Sequence, residues 1–341
     1  MQHHPLAQRF AELARWRWSE TIFWLCAAAT IVVFPNRYLI LTEMAWLALF
    51  ALSLDLILGY AGIVSLGHAA FFGVGAYTAG LLAVHGAIPQ PVLALLVAGV
   101  AAAVLGFFTS FLIIRGSDLT RLMVTLGIAL LLRELANRFS NITGGFDGLQ
   151  GIMMEPLLGL FAFDIFGRTA FIYCLVVLFL LFLVARRLVH SPFGLSLRAI
   201  KNNPLRAAAV GIPVNRRLIA IYTIAAFYAG IAGGLFTQST ALATLDVFSF
   251  ERSADLLLVL VLGGTGYLYG GLIGAVAFKL LQEFFSAITP QYWQFWIGLV
   301  LVVVVLIGRE RIHRWVEWGP RQIGKLFGKD TAPRMSDGGA S

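Results

Sequence analysis

The chain has 341 residues, of which 59% are apolar and only 12% are charged, and its mean hydropathy is +0.85. Soluble domains average about 25% charged residues, so the composition excludes an ordinary soluble domain and predicts a polytopic all-α membrane protein. The net charge is +8, and both cysteines lie in apolar runs, so no disulfide framework is expected.

The predicted elements begin with a cytosolic leader, residues 1–19, which lacks the short apolar region and small-residue cleavage site of a signal peptide. A membrane-spanning helix needs roughly 17–25 mainly apolar residues, and this criterion predicts a transmembrane domain over residues 20–308. It contains about ten spans, some of them short or broken, and eight is the nearest alternative. The spans lie near residues 20–34, 39–57, 64–84, 91–113, 120–138, 169–185, 218–238, 253–268, 271–289 and 292–308.

Basic side chains set the predicted orientation. With the N-terminus in the cytosol, nineteen of the 25 Lys and Arg residues lie on the cytosolic side and four lie outside, as the positive-inside rule requires. Both termini are therefore predicted to be cytosolic. Contact of these residues with anionic membrane lipid accounts for the net charge, so no nucleic-acid partner is expected.

The stretch Gly59–Gly80 places six glycines, a serine and a histidine within an apolar segment. The glycines either let helices pack closely or mark a break near residues 59–67 beside a water-filled route, with a new helix starting near Ser65. They do not fall on one helical stripe, which weakens a pure packing account. The second interpretation assigns the translocation route to Ser65, Gly67, His68 and Gly73.

Charged and titratable residues in the spans carry further expectations. His68 is either hydrogen-bonded between helices or part of a gate or relay, and Asp55 either caps the broken helix or pairs with a neighbouring span. Each charge costs about 2.5–3.5 kcal/mol at the centre of an inserted helix, so each should face protein or water. Lys279 and Glu283, four residues apart, have the spacing of a pair along one helix face. The other charges are Glu43, Arg133, Glu134 and Asp255.

The predicted outside loop, residues 139–168, contains the turn-rich sequence NITGGFDGLQGI. It is either an ordinary tight loop or a periplasmic vestibule that docks an external partner. The second interpretation rests on Thr143, Gly144, Gly145 and Asp147.

The predicted inside loop, residues 191–217, is too structured for a simple connector. Ser191 and Pro192 can open one helix, and Pro204 can open a second short helix that Gly211 closes. Basic and apolar residues alternate along both. The segment either lies on the membrane surface or docks a cytosolic partner.

Residues 309–341 are predicted to form a basic cytosolic tail with a disordered end. Within it, Gly319–Leu326 approaches a phosphate-binding loop, but Leu326 replaces the Ser or Thr that binds Mg²⁺ and no strand precedes it. The chain is therefore expected to have no nucleotide site, and also no catalytic residue, metal site or cofactor. Energy for transport must come from a partner or from an ion gradient.

Several segments in order resemble permease subunits of ABC importers for branched-chain amino acids, in particular the M-type subunit of the leucine/isoleucine/valine system. The resemblance covers residues 36–308. The matching segments are GYAGIVSLGHAAFFGVGAYTAG, RLMVTLGIALLLRELA, TGGFDGLQGI, SPFGLSLRAIKNNPLRAAAVGI, AGIAGGL and LGGTGYLYGGLIGA. The segment RGSDLTRLMVTL differs from the sequence that is usual in this family. The identity of the substrate therefore stays open among branched-chain amino acids, urea, amides and aromatic acids.

The resemblance implies a complex in the bacterial inner membrane. Its other parts would be a second, homologous permease subunit, two cytosolic ATPase subunits and a periplasmic binding protein that delivers the amino acid. It also implies ATPase coupling through the cytosolic segment Arg198–Gly211. The coupling residues that it assigns are Arg198, Asn202, Arg206, Ala207 and Gly211.

Two other function classes stay open. An ion-coupled secondary transporter would use Asp55, His68 or Glu134 as an intramembrane ion carrier. An intramembrane hydrolase would need Ser65 and His68 as nucleophile and base, although no orienting acid is evident nearby.

Overall fold

The computed structural model describes residues 18–307, apart from residues 87, 89, 158, 163 and 165. Most of the predicted leader, the predicted tail and the segment Gly319–Leu326 lie outside the described residues. The described part of the chain divides into two compact units, with the division in sequence between residues 281 and 282.

Regular structure in the described residues is helical, with two isolated β-bridges, and this confirms the predicted all-α class. Single 3-10 turns lie at Gly145–Asp147 and Leu245–Phe248. The helices are α1 (Trp18–Val33), α2 (Tyr38–Ala61), α3 (Ala69–Val84), α4 (Pro91–Ile114), α5 (Asp118–Arg138), α6 (Ser140–Thr143), α7 (Arg168–Val189), α8 (Pro192–Asn202), α9 (Pro204–Ala209), α10 (Val214–Thr240), α11 (Phe250–Gly263), α12 (Leu268–Ile288) and α13 (Trp293–Ile307).

Long helices overlap each of the ten predicted spans. Within the described residues, five of them are long and apolar enough to cross a membrane: α2, α4, α7, α10 and α12. Three shorter apolar stretches lie in α1, α3 and α13. The helices therefore agree with a multi-pass membrane protein, whereas the figure of ten crossings stays a prediction.

Helix α2 lies at the centre of the first unit. Every residue from Met44 to Ile57 is buried, and the helix contacts α7, α8, α10 and α11. A helix that is apolar on all sides is typical of an element enclosed by other helices. Over this stretch α2 therefore faces protein rather than lipid.

Helices α3, α4 and α10 pack through small residues. A side chain at Gly75 of α3 would overlap the backbone of Gly230 on α10, and one at Gly233 would overlap the carbonyl of Phe72 on α3. Lipid is as apolar as the helix surfaces, so close van der Waals contact is what holds such helices together. The close-packing interpretation thus holds for the part of the glycine-rich stretch that lies inside α3.

A partly buried arginine holds the start of α11. The guanidinium carbon of Arg252 lies 5.2 Å from the ring centre of Phe236, 5.8 Å from that of Trp46 and 5.9 Å from that of Phe72. Such cation–π contacts become stronger when the cation is removed from water. They join α11 to α2, α3 and α10.

Lys279 has a different ion-pair partner from the one that its sequence spacing suggests. Its Nζ lies 2.6 Å from Oε2 of Glu43 on α2, so the predicted pairing with Glu283 gives way to a contact between helices. The close approach of α12 to α2, where Gly271 lies against the backbone of Ala51, makes this possible. The pairing gives each charge a protein partner, which lowers its cost in a membrane.

We predict that Gly75→Ala lowers the melting temperature of the detergent-solubilised protein. The new methyl group would overlap the backbone of Gly230, and overpacking of this kind typically costs about 1–3 kcal/mol. Gly127→Ala is the matched control, since a Cβ at Gly127 of α5 meets open space. Equal melting temperatures for the two variants would contradict the packing described for α3 and α10.

Candidate functional site

The chain leaves helical geometry between α2 and α3, at residues 62–68. Helix α2 ends at Ala61, where Gly62 adopts a left-handed conformation with φ of +74°, and α3 begins at Ala69. The predicted break is confirmed. The predicted helix start near Ser65 is wrong by about one turn, because the amides of Leu66 and Ala69 bond to side chains on other helices instead of to preceding carbonyls.

The amide groups of this segment and of Ala69, the first residue of α3, find partners on three different helices. Ile63 N donates to Ile57 O of α2 at 3.0 Å, Leu66 N to Thr125 Oγ1 of α5 at 3.3 Å, and Ala69 N to Ser253 Oγ of α11 at 3.0 Å. Buried backbone groups without water need such partners. Segment 62–68 is therefore a non-helical element that specific hydrogen bonds hold between α2, α5 and α11.

Gly67 allows this element to lie directly on α5. A Cβ at this position would overlap the carbonyl group of Thr125. Any residue other than glycine would push the segment away from α5 and break the bond from Leu66 N. Gly67 is thus required for close approach rather than for flexibility.

His68 links the segment to α2. Its Nε2 lies 2.8 Å from Ser53 Oγ, and the Ser53 hydroxyl lies 2.6 Å from Phe50 O, to which it donates. The ring Nε2–H is then the donor to Ser53. The imidazole is fully buried, stacks on Phe50 and meets the edge of Phe71. The structure thus shows His68 in an interhelical hydrogen bond, one of the two roles considered from the sequence.

This bond fixes the depth at which α3 begins. Ser53 lies eight residues before the end of α2, which is about 12 Å along the helix axis at 1.5 Å per residue. Segment 62–68 therefore turns back along α2 and carries His68 to the level of Ser53. Helix α3 starts inside the bundle instead of at its end.

The other residues assigned to the route lie in different surroundings. Ser65 is fully buried, and its hydroxyl has no hydrogen-bond partner among the described residues. Since His68 Nε2 bonds to Ser53, the Ser65–His68 dyad that a hydrolase needs is not formed through that nitrogen. Gly73 lies farther along α3, against the ring of Phe248. The structure brings Ser65, Gly67 and His68 together at the break and leaves Gly73 in helix packing.

A second set of polar contacts surrounds the end of α2, and we call Asp55, Gly59, Lys201 and Gly266 the α2 junction. Gly266 N, in the turn between α11 and α12, donates to Asp55 Oδ1 at 2.7 Å. Lys201 Nζ, near the end of α8, donates to Gly59 O at 2.6 Å. Asp55 therefore pairs with a neighbouring element, which is one of the two outcomes expected from the sequence.

Helix α8 lies against this junction, and α9 packs on α8 and α10. Leu197 and Ile200 of α8 and Ala207 of α9 are buried, whereas Leu205 and Val210 are 82% and 78% exposed. Helix α8 contacts α2, α7 and α10, so its apolar face rests on protein. This packing disfavours a segment that merely lies on the membrane surface.

The five residues assigned to coupling have distinct positions. Arg198, Asn202 and Arg206 are exposed, and Ala207 packs inward. The guanidinium carbon of Arg198 lies 5.2 Å from the ring centre of Tyr60. Gly211 follows α9 with φ of +86°, a conformation that L side chains rarely adopt.

The loop assigned to external docking is a series of tight turns. The Thr143 hydroxyl donates to the carbonyls of Ala136 and Phe139 near the end of α5. Gly144 and Gly145 have positive φ, and Gly145–Asp147 form a 3-10 turn. Leu149 pairs with Ala243 just after α10, which anchors the loop there.

A cavity of about 500 Å³ lies beside this loop and the start of α2. It is lined by apolar residues and by several oxygen-bearing side chains, among them Glu43, Thr42 and Gln238. Gln238 Nε2 donates to Pro91 O at 2.8 Å. The loop contributes Ile152, Met154, Asp164 and Gly167 to the lining rather than the four residues singled out from the sequence.

Sequence reasoning missed the partners of the break. The hydroxyl of Ser53 bonds to His68, that of Thr125 to Leu66 N, and that of Ser253 to the amide of the next residue, Ala69. Lys201 reaches Gly59. Small hydroxyl residues inside apolar spans are the one sequence signal for such contacts, and it does not say which backbone group they meet. In the part of the chain that the structure describes, no group of three or more His, Cys, Asp or Glu residues has a metal-binding arrangement.

Comparison with known proteins identifies a family. The sequence profile of the family described as "Branched-chain amino acid transport system / permease component" matches residues 36–305. No solved structure matches the chain significantly.

Three curated relatives are similar over most of the chain. The high-affinity branched-chain amino acid transport system permease protein LivM of Escherichia coli K12 is 27% identical over 279 residues, which is 76% of this chain. The probable branched-chain amino acid transport permease protein LivH of Methanocaldococcus jannaschii is 30% identical over 67% of this chain and 73% of its own length. An autoinducer 2 import system permease protein LsrD of Escherichia coli is 27% identical over 80% of this chain and 83% of its own length. The chain spans 65% of the length of the LivM relative.

We predict that Ser53→Ala lowers the melting temperature in detergent. It would leave His68 Nε2 buried without its partner, and an unsatisfied buried polar group costs about 1–3 kcal/mol. Thr240→Ala is the control, because the Thr240 hydroxyl is exposed and bonds to nearby backbone. If Ser53→Ala melts no earlier than Thr240→Ala, the Ser53–His68 bond does not hold α3 to α2.

Proposed function

The chain belongs to the family of permease components of branched-chain amino acid transport systems, and from this premise we propose that it is the membrane subunit of an ABC importer for branched-chain or related amino acids. A zwitterionic amino acid needs a walled route, because removing water from its two charges is costly in lipid. The energy comes from ATP hydrolysis in partner subunits, and we assign no catalytic residue to this chain.

The exposed surface of α9 is the observation that carries this proposal. Leu205 of α9 and Val210 just after it are exposed beside Arg206, while the neighbouring helix α8 is fixed on the bundle. Exposed apolar residues next to a basic one on a rigid base suit a protein interface. We infer that two ATPase subunits act in the complex and that one of them binds here, with Arg198, Asn202 and Gly211 completing the contact region.

The proposed route runs beside segment 62–68. Non-helical backbone at membrane depth is tolerated where it lies in protein or lines a water-filled space, and transporters often place their routes at such breaks. Ser65 and His68 face the break with buried polar atoms that lack partners among the described residues, namely Ser65 Oγ and His68 Nδ1. Gly67 holds the break against α5, and Gly73 sets the packing of α3 beyond it.

Helix α5 supports a second, homologous permease subunit as a partner. Only Thr125, Ala129 and Ala136 of this helix are buried. Arg133 and Glu134 are exposed, although charges within a span should face protein or water. A second permease beside α5 would supply that protein surface and the other wall of the route.

The proposed layout follows the distribution of basic residues. The leader (1–19), the coupling segment (191–217) and the tail (309–341) are cytosolic, and the transmembrane domain (20–308) crosses the inner membrane about ten times. The loop of residues 139–168 is then periplasmic. Its turn at Thr143, Gly144, Gly145 and Asp147 presents Phe146, which is 87% exposed, to a periplasmic binding protein.

We predict that Arg206→Glu and Gly211→Pro each reduce uptake of radiolabelled leucine at least ten-fold. The first reverses a charge on the exposed face of α9, and the second imposes a φ near −65° where the backbone has +86°. In cells that produce the native complex, the amount of ATPase recovered with the tagged chain is measured alongside uptake. Arg187→Glu, an exposed charge on α7, is the control. Normal ATPase recovery and normal uptake in both variants would contradict the assigned coupling surface.

The energy source separates this proposal from an ion-coupled transporter. We predict that uptake stops when cellular ATP is depleted and continues when a protonophore or a sodium ionophore removes the ion gradients while ATP is maintained. The reverse result, with the purified chain alone concentrating leucine in liposomes on an ion gradient, would favour a carrier that uses Asp55, His68 or Glu134.

A further inference from the structure

The α2 junction links the proposed ATPase-binding helices to both interruptions in the bundle. One interruption is segment 62–68, and the other is the turn of residues 264–267 between α11 and α12. Lys201 Nζ contacts Gly59 O, and Gly266 N contacts Asp55 Oδ1, which lies one turn earlier on the same helix. A single turn of α2 is therefore bonded both to α8 and to the α11–α12 turn.

The carbonyl of Gly59 can accept a hydrogen bond from Lys201 because it lies at the C-terminal end of α2. The last four carbonyls of a helix have no partner within the helix, and Gly59 lies within the last four residues of α2. An ammonium group suits this position, because the C-terminal end of a helix dipole is negative. Gly59 is buried, so removing Lys201 takes away the partner that the structure shows for its carbonyl.

Glycine at position 59 brings the two contacts together. A Cβ there would overlap Asp55 Oδ1 and would come within 2.5 Å of Gly266 N. The absence of a side chain thus lets the α11–α12 turn lie on α2 at the same turn that Lys201 bonds. Arg198, one turn before Lys201 on α8, adds the contact with Tyr60.

We propose that Lys201 is a positioning residue that transmits movement of α8 and α9 to both helix interruptions through Gly59. A displacement of α8 either pulls the last turn of α2 with it or breaks the Lys201–Gly59 bond. Because Gly62 follows directly, the same displacement changes where segment 62–68 and His68 lie. Through Asp55 it also reaches the α11–α12 turn. This inference rests on the proposed function, since it gives ATP-driven movement a path into the bundle.

The first test compares Lys201→Met with Lys201→Arg in the native complex. Methionine keeps the apolar stem but donates no hydrogen bond, whereas arginine still donates. We expect Lys201→Met to keep normal recovery of the ATPase and at least half of its ATP hydrolysis while leucine uptake falls at least ten-fold. Lys201→Arg should retain more than a third of wild-type uptake. Arg187→Met, a substitution of the same type on α7, should leave both activities unchanged.

A double variant tests the shared path. Asp55→Ala removes the acceptor for Gly266 N and should also uncouple hydrolysis from uptake, whereas Asp55→Asn keeps an acceptor oxygen and should be milder. Since both contacts act through one turn of α2, Asp55→Ala combined with Lys201→Met should reduce uptake no further than the stronger single variant. Losses that multiply would overturn the shared path.

A measurement on the unaltered protein covers the case in which a variant fails to insert. In inverted membrane vesicles, an impermeant amine reagent labels Lys201, and mass spectrometry quantifies the product with and without ATP and vanadate. We expect at least a three-fold difference in labelling between the two states. Equal labelling overturns the proposal, as does a Lys201→Met complex with full uptake per ATP hydrolysed. Failure to recover any ATPase with the wild-type chain would instead overturn the proposed function, and the link with it.

Discussion

Polar backbone at membrane depth must find partners inside the protein, and the arrangement around segment 62–68 follows from this constraint. The segment turns back along α2 until His68 reaches Ser53, where no regular helix bonds its amides. Hydroxyls from α5 and α11 take that place, through Thr125 and Ser253. Three helices that are far apart in the chain are thereby fixed around one short stretch, and α3 can start inside the bundle.

Because several helices approach each other backbone to backbone, the bundle can meet this constraint and still pack closely. Gly67 lets the segment lie on α5, and Gly75 and Gly233 let α3 and α10 meet without side chains between them. In lipid, apolar burial gives little preference for one helix contact over another, so contact distance and hydrogen bonds decide the arrangement. The charges within these helices follow the same rule, since the partly buried Arg252 lies among aromatic rings and Lys279 reaches Glu43.

The family match and the geometry both support the proposed roles, in which this chain is the permease and a partner supplies the energy. The chain is a permease component by its match over residues 36–305, and its basic, partly apolar surface at α9 suits a partner that brings energy. Helix α8, which contacts α9, reaches the α2 junction through Lys201. In the importer that we propose, the hydrogen bond from Lys201 Nζ to Gly59 O would carry a displacement of α8 to the last turn of α2.

The sequence by itself determined what depends on composition and local pattern: an all-α membrane protein, the break after α2, the two short helices opened by Pro192 and Pro204, and the family. The class, the break and the two short helices follow from hydropathy, glycine and proline, whose effects act within a few residues. The family follows from the resemblance of several segments in order. Only the tertiary structure decided which groups meet. The start of α3 at Ala69, the partner of Lys279, the Ser53–His68 bond and the reach of Lys201 to Gly59 join residues 15 to 236 positions apart. Such pairings depend on how the helices cross in space, and the local periodicity of the sequence carries no information about those crossings.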